Sequence, residues 1–155
     1  MHVAAWNDAY AGLLPRAHLE RRTVELRTAS WQQYLRDDAR VALVACEENG
    51  TVVGFASGGA SRDPVEGYDA EIETLYVLPE AQGKRTGKLL LQAIAAELVH
   101  RGFRAAWVRV LSDNARARRF YEKCGARFLS EETEDIDDFI YREHFYGWPD
   151  LSALA

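Results

Sequence analysis

The feature that most constrains the fold is a strand, a loop and a helix in direct succession over residues 75–90, with the sequence LYVLPEAQGKRTGKLL. An apolar run that stops at Pro79 is typical of a buried strand, and the glycines that follow mark a loop. One apolar stripe at helical spacing then predicts a helix over 87–100: Leu90, Leu91, Ile94 and Leu98. Units of this kind are typical of α/β domains, so we expect a mixed sheet flanked by helices.

The loop of this unit is a candidate phosphate site. The N-terminus of a helix presents unpaired N–H groups and partial positive charge, and Gly83 and Gly87 let the backbone approach a ligand. Three basic side chains add charge in a chain whose net charge is −5: Lys84, Arg85 and Lys88. A pyrophosphate is the natural ligand, although Leu89 excludes a Walker P-loop, which has Ser or Thr after its lysine. The alternative is an exposed turn with solubilising lysines.

The rest of the chain predicts the element order α-α-β-β-β-α-β-α-β-β. Helices are predicted at His2–Tyr10, from Pro15 to about Arg36, at 87–100, and from a cap at Asp113 or Asn114 to Gly125. Strands are predicted at Val41–Cys46, Thr51–Ala56, Ala70–Leu78, Ala105–Leu111, Arg127–Ser130 and Phe139–Phe145. Asn49-Gly50 predicts a hairpin turn, Ser57–Gly67 a loop, and the acidic stretch 131–138 a turn.

Size, charge and composition exclude several classes of protein. A length of 155 residues fits one domain, 1–155, and 19 Lys+Arg against 24 Asp+Glu disfavour a nucleic-acid partner. No apolar run approaches the ~18 residues of a membrane span and no signal segment opens the chain, so we expect no membrane partner and a cytoplasmic location. Cys46 and Cys124 form no disulfide framework, and the histidines lack ligand spacing, so no metal is expected.

Two motifs together resemble the GNAT superfamily of acyl-CoA-dependent N-acetyltransferases. Gln82–Gly87 is similar to the family's loop pattern Gln/Arg-x-x-Gly-x-Gly/Ala, and 75–79 to the strand before that loop. Residues 114–128 (NARARRFYEKCGARF) resemble its last helix, and 4–15 the first helices of many bacterial members. The resemblance covers nearly the whole chain. It implies the GNAT fold, with a central mixed, splayed sheet flanked by helices, and acetyl-CoA as co-substrate.

The sequence departs from the family pattern at two places. Arg85 stands where the pattern has its inner glycine, and a positive φ there would cost roughly 1–2 kcal/mol. The chain also begins at a helix, where the family begins with a strand. We therefore expect a truncated start or a sheet edge supplied by another subunit, which makes a homodimer possible.

The resemblance also implies the residues that bind the coenzyme. Those implied to hold the pyrophosphate are Gln82, Gly83, Lys84, Arg85, Thr86, Gly87 and Lys88. Those implied to hold the pantetheine arm are the backbone of Leu75, Tyr76 and Val77, the side chain of Asn114, and Ala117 and Phe120 on the same helix. For Asn114 a simple helix cap is an alternative, and the two roles are compatible.

Three residues are candidates for proton transfer. Acetylation of an amine needs a base, because an alkylamine is protonated at neutral pH. Glu71 and Glu73, two apart on a predicted strand, point to one face. Glu71 resembles the general base of histone-type members, Glu73 is less favoured, and a solvated strand face is the alternative for both. Tyr121 matches the family's general acid, which protonates the leaving thiolate; a core aromatic is its alternative.

The sequence therefore predicts transfer of an acetyl group from acetyl-CoA to a primary amine, by direct attack in a ternary complex. A non-catalytic acyl-CoA-binding or sensing domain, or a domain for another phosphate ligand, are the alternatives. The acceptor is expected to be a small-molecule or peptide amine. Six acids form a solvated turn or a rim that steers a cationic acceptor: Glu131, Glu132, Glu134, Asp135, Asp137 and Asp138. Core packing or an acceptor pocket is expected for Trp6, Trp31 and Tyr34.

Overall fold

The computed structural model describes residues 1–136 and 139–155 of the chain. Its helices are α1 (His2–Tyr10), α2 (Arg16–Glu20), α3 (Val24–Tyr34), α4 (Thr86–His100) and α5 (Ala115–Lys123), with 3₁₀ turns at Pro79–Ala81 and Leu151–Ala153. Its strands are β1 (Arg40–Cys46), β2 (Val52–Val65), β3 (Tyr68–Val77), β4 (Ala106–Leu111), β5 (Arg127–Ile136) and β6 (Phe139–Trp148). Within the described residues, no helix is long and apolar enough to cross a membrane.

The strands form one sheet in the order β1-β2-β3-β4-β6-β5. β3 and β4 are parallel, and the other neighbouring pairs are antiparallel, which confirms the predicted mixed sheet. The crossover through α4 joins the parallel neighbours β3 and β4. The crossover through α5 does not join neighbours, because β6 lies between β4 and β5.

The main core lies between α4 and one face of the sheet. The apolar stripe of α4 is fully buried at Leu91, Ile94 and Leu98, and it packs in one cluster with Ile72 of β3 and Val108 of β4. Burial of each such side chain stabilises the fold by about 1.5–3 kcal/mol. The helix predicted over 87–100 is therefore confirmed, with its first residue at Thr86.

The predicted helix from Pro15 to Arg36 is wrong in one respect, because the chain forms two helices there. Thr23 interrupts it with an extended backbone, and its side chain accepts a hydrogen bond from the Leu26 N–H, 3.3 Å away. This N-cap begins a new helix, since it satisfies one of the four N–H groups that a helix start leaves unpaired.

The predicted loop Ser57–Gly67 is also wrong, because β2 continues through it to Val65 and turns into β3 at Gly67. The small residues that predicted a loop instead permit close strand pairing. A Cβ at Gly58 would lie 2.6 Å from the Glu71 carbonyl oxygen, so only glycine fits there.

The acidic turn is likewise corrected, since 131–136 form the second half of β5 rather than a turn. This half pairs with β6, with Glu131 opposite His144 and Glu134 opposite Tyr141. Cross-strand pairing overrides the weak strand preference of acidic residues. Asp137 and Asp138, part of the same prediction, lie outside the described residues.

The sheet splays apart between β3 and β4, as the GNAT resemblance implies. The two strands pair only at Ala70–Ala106 and Glu71–Trp107. Beyond this point the register of β3 with β2 shifts, and Glu73 is the extra residue between the pairs of Ile72 and Thr74. Such a bulge bends a strand, so the rest of β3 leaves β4 and a cleft opens between them.

Candidate active site

A cleft of about 800 Å³ occupies the splay, bounded by β3, β4, α1, α5 and the loop before α4. All of the site residues predicted from the sequence line it except Glu71 and Lys84. Lys84 instead lines a smaller groove of about 460 Å³ between β1 and α4. The fold thus brings together residues from three separate stretches of sequence.

The loop before α4, residues 82–85, passes twice through the left-handed region of backbone conformation. Gly83 has a φ of +72°, and Arg85 has a φ of +68°, the single positive φ at a non-glycine residue in the part of the chain described. Arg85 is the N-cap of α4, and its side chain makes no capping hydrogen bond. The position therefore requires positive φ, as the missing glycine of the sequence pattern suggests, at a cost of roughly 1–2 kcal/mol.

Gln82 fixes this loop to the elements on both sides of the cleft. Its Nε2 donates to the Val77 carbonyl oxygen (2.9 Å) and to Asp8 Oδ2 on α1 (3.2 Å). Its Oε1 accepts from Arg116 Nη1 on α5 (2.9 Å). The sequence analysis missed Asp8 and Arg116. Arg116 lies between Asn114 and Ala117 of the helix motif, so its position was a usable signal, whereas nothing marked Asp8.

The open edge of β3 presents backbone groups at alternate residues. The Leu78 N–H donates to the Val53 carbonyl oxygen on β2 (2.8 Å), so Leu78 faces β2. In an antiparallel ladder the neighbouring residues face away, which leaves Val77 and Leu75 with their polar groups toward the splay. Tyr76, opposite Phe55, faces β2 with its backbone and offers the cleft its side chain.

Three phenols line the cleft. Tyr121 is 6% exposed and packs edge-on against Phe120 and Trp148, and burial raises its pKa. The hydroxyl groups of Tyr10 and Tyr76 are 3.3 Å apart, and burial raises the pKa of each. All three phenols therefore keep their protons at neutral pH and can donate hydrogen bonds. Tyr10, which the sequence marked only as the end of a predicted helix, is a further cleft residue that was not predicted.

The two candidate bases are buried, not a solvated strand face. Arg62 binds Glu71 with two hydrogen bonds, Nη2 to Oε1 (2.9 Å) and Nε to Oε2 (3.1 Å). Glu73 is bound by Arg40 Nη1 (2.7 Å) and lines the cleft. Burial raises the pKa of Glu73, against the opposing effect of the two arginines. Of the two carboxylates, Glu73 is the one placed to meet a ligand in the cleft.

Charged residues continue along the face that Glu73 shares with β4 and β6. Arg109 lines the cleft and pairs with three carboxylates, on Asp63 (2.8 Å), Glu143 (3.4 Å) and Glu134 (3.5 Å). Burial raises the pKa of Glu143, which the sequence analysis missed. Acids thus outnumber cations on this side of the cleft.

The aromatic residues with an open role pack beside the cleft. Trp6 packs on Tyr10 with ring centroids 4.2 Å apart, and Trp31 packs edge-on against Phe55 at 5.2 Å. The Tyr34 hydroxyl donates to the Gly58 carbonyl oxygen (3.2 Å). Among the described residues, no group of three or more His, Cys, Asp or Glu side chains is placed to hold a metal ion.

The comparisons with known proteins agree with this geometry. The sequence model of the acetyltransferase (GNAT) family matches residues 4–126. YuaI, an uncharacterised N-acetyltransferase of Bacillus subtilis strain 168, is 32% identical over 154 residues, which cover 99% of this chain and 87% of that protein.

Solved structures share the fold. The crystal structure of an N-acetyltransferase from Staphylococcus aureus Mu50 superposes with a TM-score of 0.71 at 26% identity, over 97% of this chain and 90% of that one. PaiA N-acetyltransferase from Thermoplasma acidophilum, in complex with coenzyme A, superposes with a TM-score of 0.65 at 21% identity, over 92% and 86%. The predicted fold class is confirmed.

Proposed function

The chain belongs to the acetyltransferase (GNAT) family, and on that premise we propose that it transfers the acetyl group of acetyl-CoA to a primary amine. The amine attacks the thioester directly, in a ternary complex. One observation carries the proposal: a buried carboxylate, Glu73, and a buried phenol, Tyr121, line the same cleft as the phosphate loop. Base, acid and coenzyme site therefore surround one space.

The residues of the cleft fit the coenzyme. The N-terminus of α4, with Arg85 and Lys88, suits a diphosphate. Leu75 and Val77 can pair with the amides of the pantetheine arm as a strand edge pairs with a peptide. The Asn114 amide oxygen accepts from the Ala117 N–H (3.0 Å), so its NH₂ group is the donor available to the arm. The structure of PaiA in complex with coenzyme A supports coenzyme A as the ligand of this fold.

Glu73 is the proposed general base. An alkylamine with a pKa near 10.4 pays roughly 4–5 kcal/mol to be neutral at pH 7, so a nearby proton acceptor lowers the barrier. Glu73 takes this ammonium proton directly or through one water and passes it to solvent. It then takes the second proton, which the nitrogen loses as it bonds to the acetyl carbon. Glu71, which the sequence resemblance favours, is held by Arg62 outside the cleft lining.

Tyr121 is the proposed donor to the leaving sulfur. As the carbon–sulfur bond breaks, its hydroxyl donates a hydrogen bond to the developing thiolate and passes a proton to it. The proton that the amine released returns to the phenolate through water. Burial, which raises the Tyr121 pKa, keeps the donor protonated before each turnover.

Calorimetric titration with acetyl-CoA, with ATP as the control, tests the coenzyme assignment. We expect one site per chain, a roughly micromolar Kd and no heat from ATP. Release of free thiol in the presence of a primary amine then tests the transfer. A folded sample that gives neither heat nor thermal stabilisation with acetyl-CoA overturns the proposal.

A further inference from the structure

Arg62 is an exposed cation bound to two buried carboxylates. Its side chain is 54% exposed, whereas those of Glu71 and Glu73 are 5% and 7% exposed. Its Nε lies 3.1 Å from Glu71 Oε2 and 3.6 Å from Glu73 Oε1, so one cation bridges both acids. Glu71 and Glu73 therefore form a cation-binding site, which the Arg62 guanidinium fills in this structure.

The Arg62 side chain can leave the carboxylates without any movement of the backbone, because more than half of it is exposed to solvent. The pairing of β2 with β3 is interrupted between Ala60 and Val65, so residues 61–64 have no partner in the ladder. The neighbours of Arg62 are nevertheless held in place, since Ser61 Oγ accepts from Trp107 Nε1 (2.8 Å) and Asp63 pairs with Arg109 (2.8 Å). Arg62 can thus swing into solvent at small cost to the sheet itself.

The second arginine at this site is fixed. Arg40 is 18% exposed and binds Glu73 (2.7 Å), and its Nη1 also donates to the Ala60 carbonyl oxygen (3.0 Å). It lies within the paired part of β1. When Arg62 leaves, Arg40 still binds Glu73, but Glu71 loses the two hydrogen bonds that Arg62 gave its carboxylate. A buried carboxylate without a partner is costly. The site then requires another cation.

Resting on the proposed function, we propose that Arg62 holds the place of a second cationic group on the acceptor. The reacting amine lies at Glu73 in the cleft. A second ammonium group, a short aliphatic chain away, replaces the guanidinium on Glu71. The acceptor class is therefore a diamine or polyamine. Its binding is a cation exchange in which Arg62 goes to solvent.

The exchange predicts an acceptor preference. With acetyl-CoA saturating, 1,4-diaminobutane should exceed n-butylamine in kcat/KM by about threefold, since the new ion pair at Glu71 is partly offset by the half-exposed one that Arg62 gives up. Arg62→Gln removes the guanidinium that competes with the second ammonium group for Glu71. The apparent affinity of a site rises with the fraction of molecules in which that site is open to the ligand. The diamine-to-monoamine ratio should rise further, by about threefold to tenfold.

Thermal melts supply a readout apart from turnover. Arg62→Gln leaves the buried acids short of a cation, so its Tm should fall, and 1,4-diaminobutane should restore it more than n-butylamine does. The wild-type protein should show a smaller diamine effect. Arg62→Lys keeps a cation at this position, so its Tm and its diamine effect should lie between those of the wild type and Arg62→Gln. It replaces Arg62→Gln in the test if that variant fails to fold. Arg36→Gln removes an exposed arginine that lies just after the end of α3. It is the matched control, and its Tm should equal that of the wild type.

Each contrary outcome has a distinct meaning. Equal rates for the diamine and monoamine, or equal thermal shifts in Arg62→Gln, overturn the placeholder role of Arg62. Loss of kcat for both amines in Arg62→Gln and Arg62→Lys alike would mean that Arg62 holds Glu73 in position instead. If no amine is acetylated although acetyl-CoA binds, the proposed function fails, while a diamine-specific rescue of Tm would still place a cation site at Glu71.

Discussion

Arg116 on α5 and Asp8 on α1 lie 3.2 Å apart as an ion pair, and the Gln82 side chain hydrogen-bonds to both. The loop before α4 is therefore tied to both flanks of the cleft and, through the Val77 carbonyl, to its floor. A loop held in this way is preorganised for a ligand, because less conformational entropy is lost on binding.

Gln82→Ala should weaken acetyl-CoA binding about tenfold. It removes three hydrogen bonds of roughly 0.5–1.5 kcal/mol each, part of which the loop recovers from water. Calorimetry measures the Kd, and Glu80→Ala, at an exposed neighbouring position, should leave it unchanged. A tighter Kd in Gln82→Ala would instead mean that the side chain competes with the coenzyme for the Val77 carbonyl.

Arg85→Gly should raise stability and lower coenzyme affinity. Glycine removes the cost of the left-handed backbone at this position, roughly 1–2 kcal/mol. Glycine also loses more conformational entropy on folding, so the net gain in the free energy of unfolding is about 1 kcal/mol. For a chain of this size the Tm should rise by about 2–4 °C. The matched variant Arg85→Ala keeps the strain and loses the same charge. It should therefore bind coenzyme as weakly as Arg85→Gly, at the Tm of the wild type; equal Tm values for the two variants would contradict the strain argument.

Local pattern was sufficient to predict the loop before α4 and the helix itself, but not the course of β2. The glycines of the loop and the stripe of α4 lie within one turn or one helix, so their geometry follows from nearby residues. Gly58 and its small neighbours predict a loop by composition. They form a strand because β1 and β3 pair with them on both sides, and such pairing overrides propensity.

The choice between the two glutamates shows a second limit. Spacing predicts correctly that Glu71 and Glu73 share a face, since Arg62 contacts both. Which of them meets the cleft depends on the bulge at Glu73 and on where β4 stops pairing. Register shifts arise from the partner strand, and Arg40 approaches from 33 residues away in the chain. No local pattern encodes such contacts.

Tyr121→Phe should lower kcat by about 10²-fold and leave acetyl-CoA binding nearly intact. The variant removes the hydroxyl that serves the leaving sulfur, and general acid catalysis contributes at least that much. Steady-state thiol release and calorimetry measure the two quantities. Tyr68→Phe, at a half-buried position away from the cleft lining, is the control. An unchanged kcat would return Tyr121 to a packing role and leave the leaving sulfur to another proton donor.

Glu73→Gln should lower kcat by about 10²-fold and remove the acid limb of the pH profile. The base must be ionised, so kcat/KM falls as the pH drops through the Glu73 pKa, which burial raises above the usual carboxyl value of 4.5. The wild-type limb should therefore lie above pH 4.5. Glu66→Gln, in the exposed β2–β3 turn, should keep the limb. If Glu71→Gln removes it and Glu73→Gln does not, the base is Glu71.

His2 should make the fold sensitive to mild acid. Its Nδ1 accepts a hydrogen bond from Trp31 Nε1 (3.0 Å), which requires the neutral ring. Burial, with help from Arg27 and Arg22, lowers its pKa from 6.5 to about 4. Between these two pH values His2 binds a proton in the unfolded chain but not in the folded chain. The free energy of unfolding therefore falls as the pH drops from about 6.5 to about 4.

His2→Gln tests this effect, because the glutamine amide oxygen can still accept from Trp31 but does not titrate. The Tm of the wild type minus that of His2→Gln should shrink as the pH falls from 6.5 toward 4, since only the wild type carries the proton-linked loss. His100→Gln, at the exposed end of α4, controls for the loss of a histidine and should melt in parallel with the wild type. If His2→Gln also melts in parallel with the wild type across this range, the ring of His2 takes a proton in the folded chain as readily as in the unfolded chain, and burial does not lower its pKa.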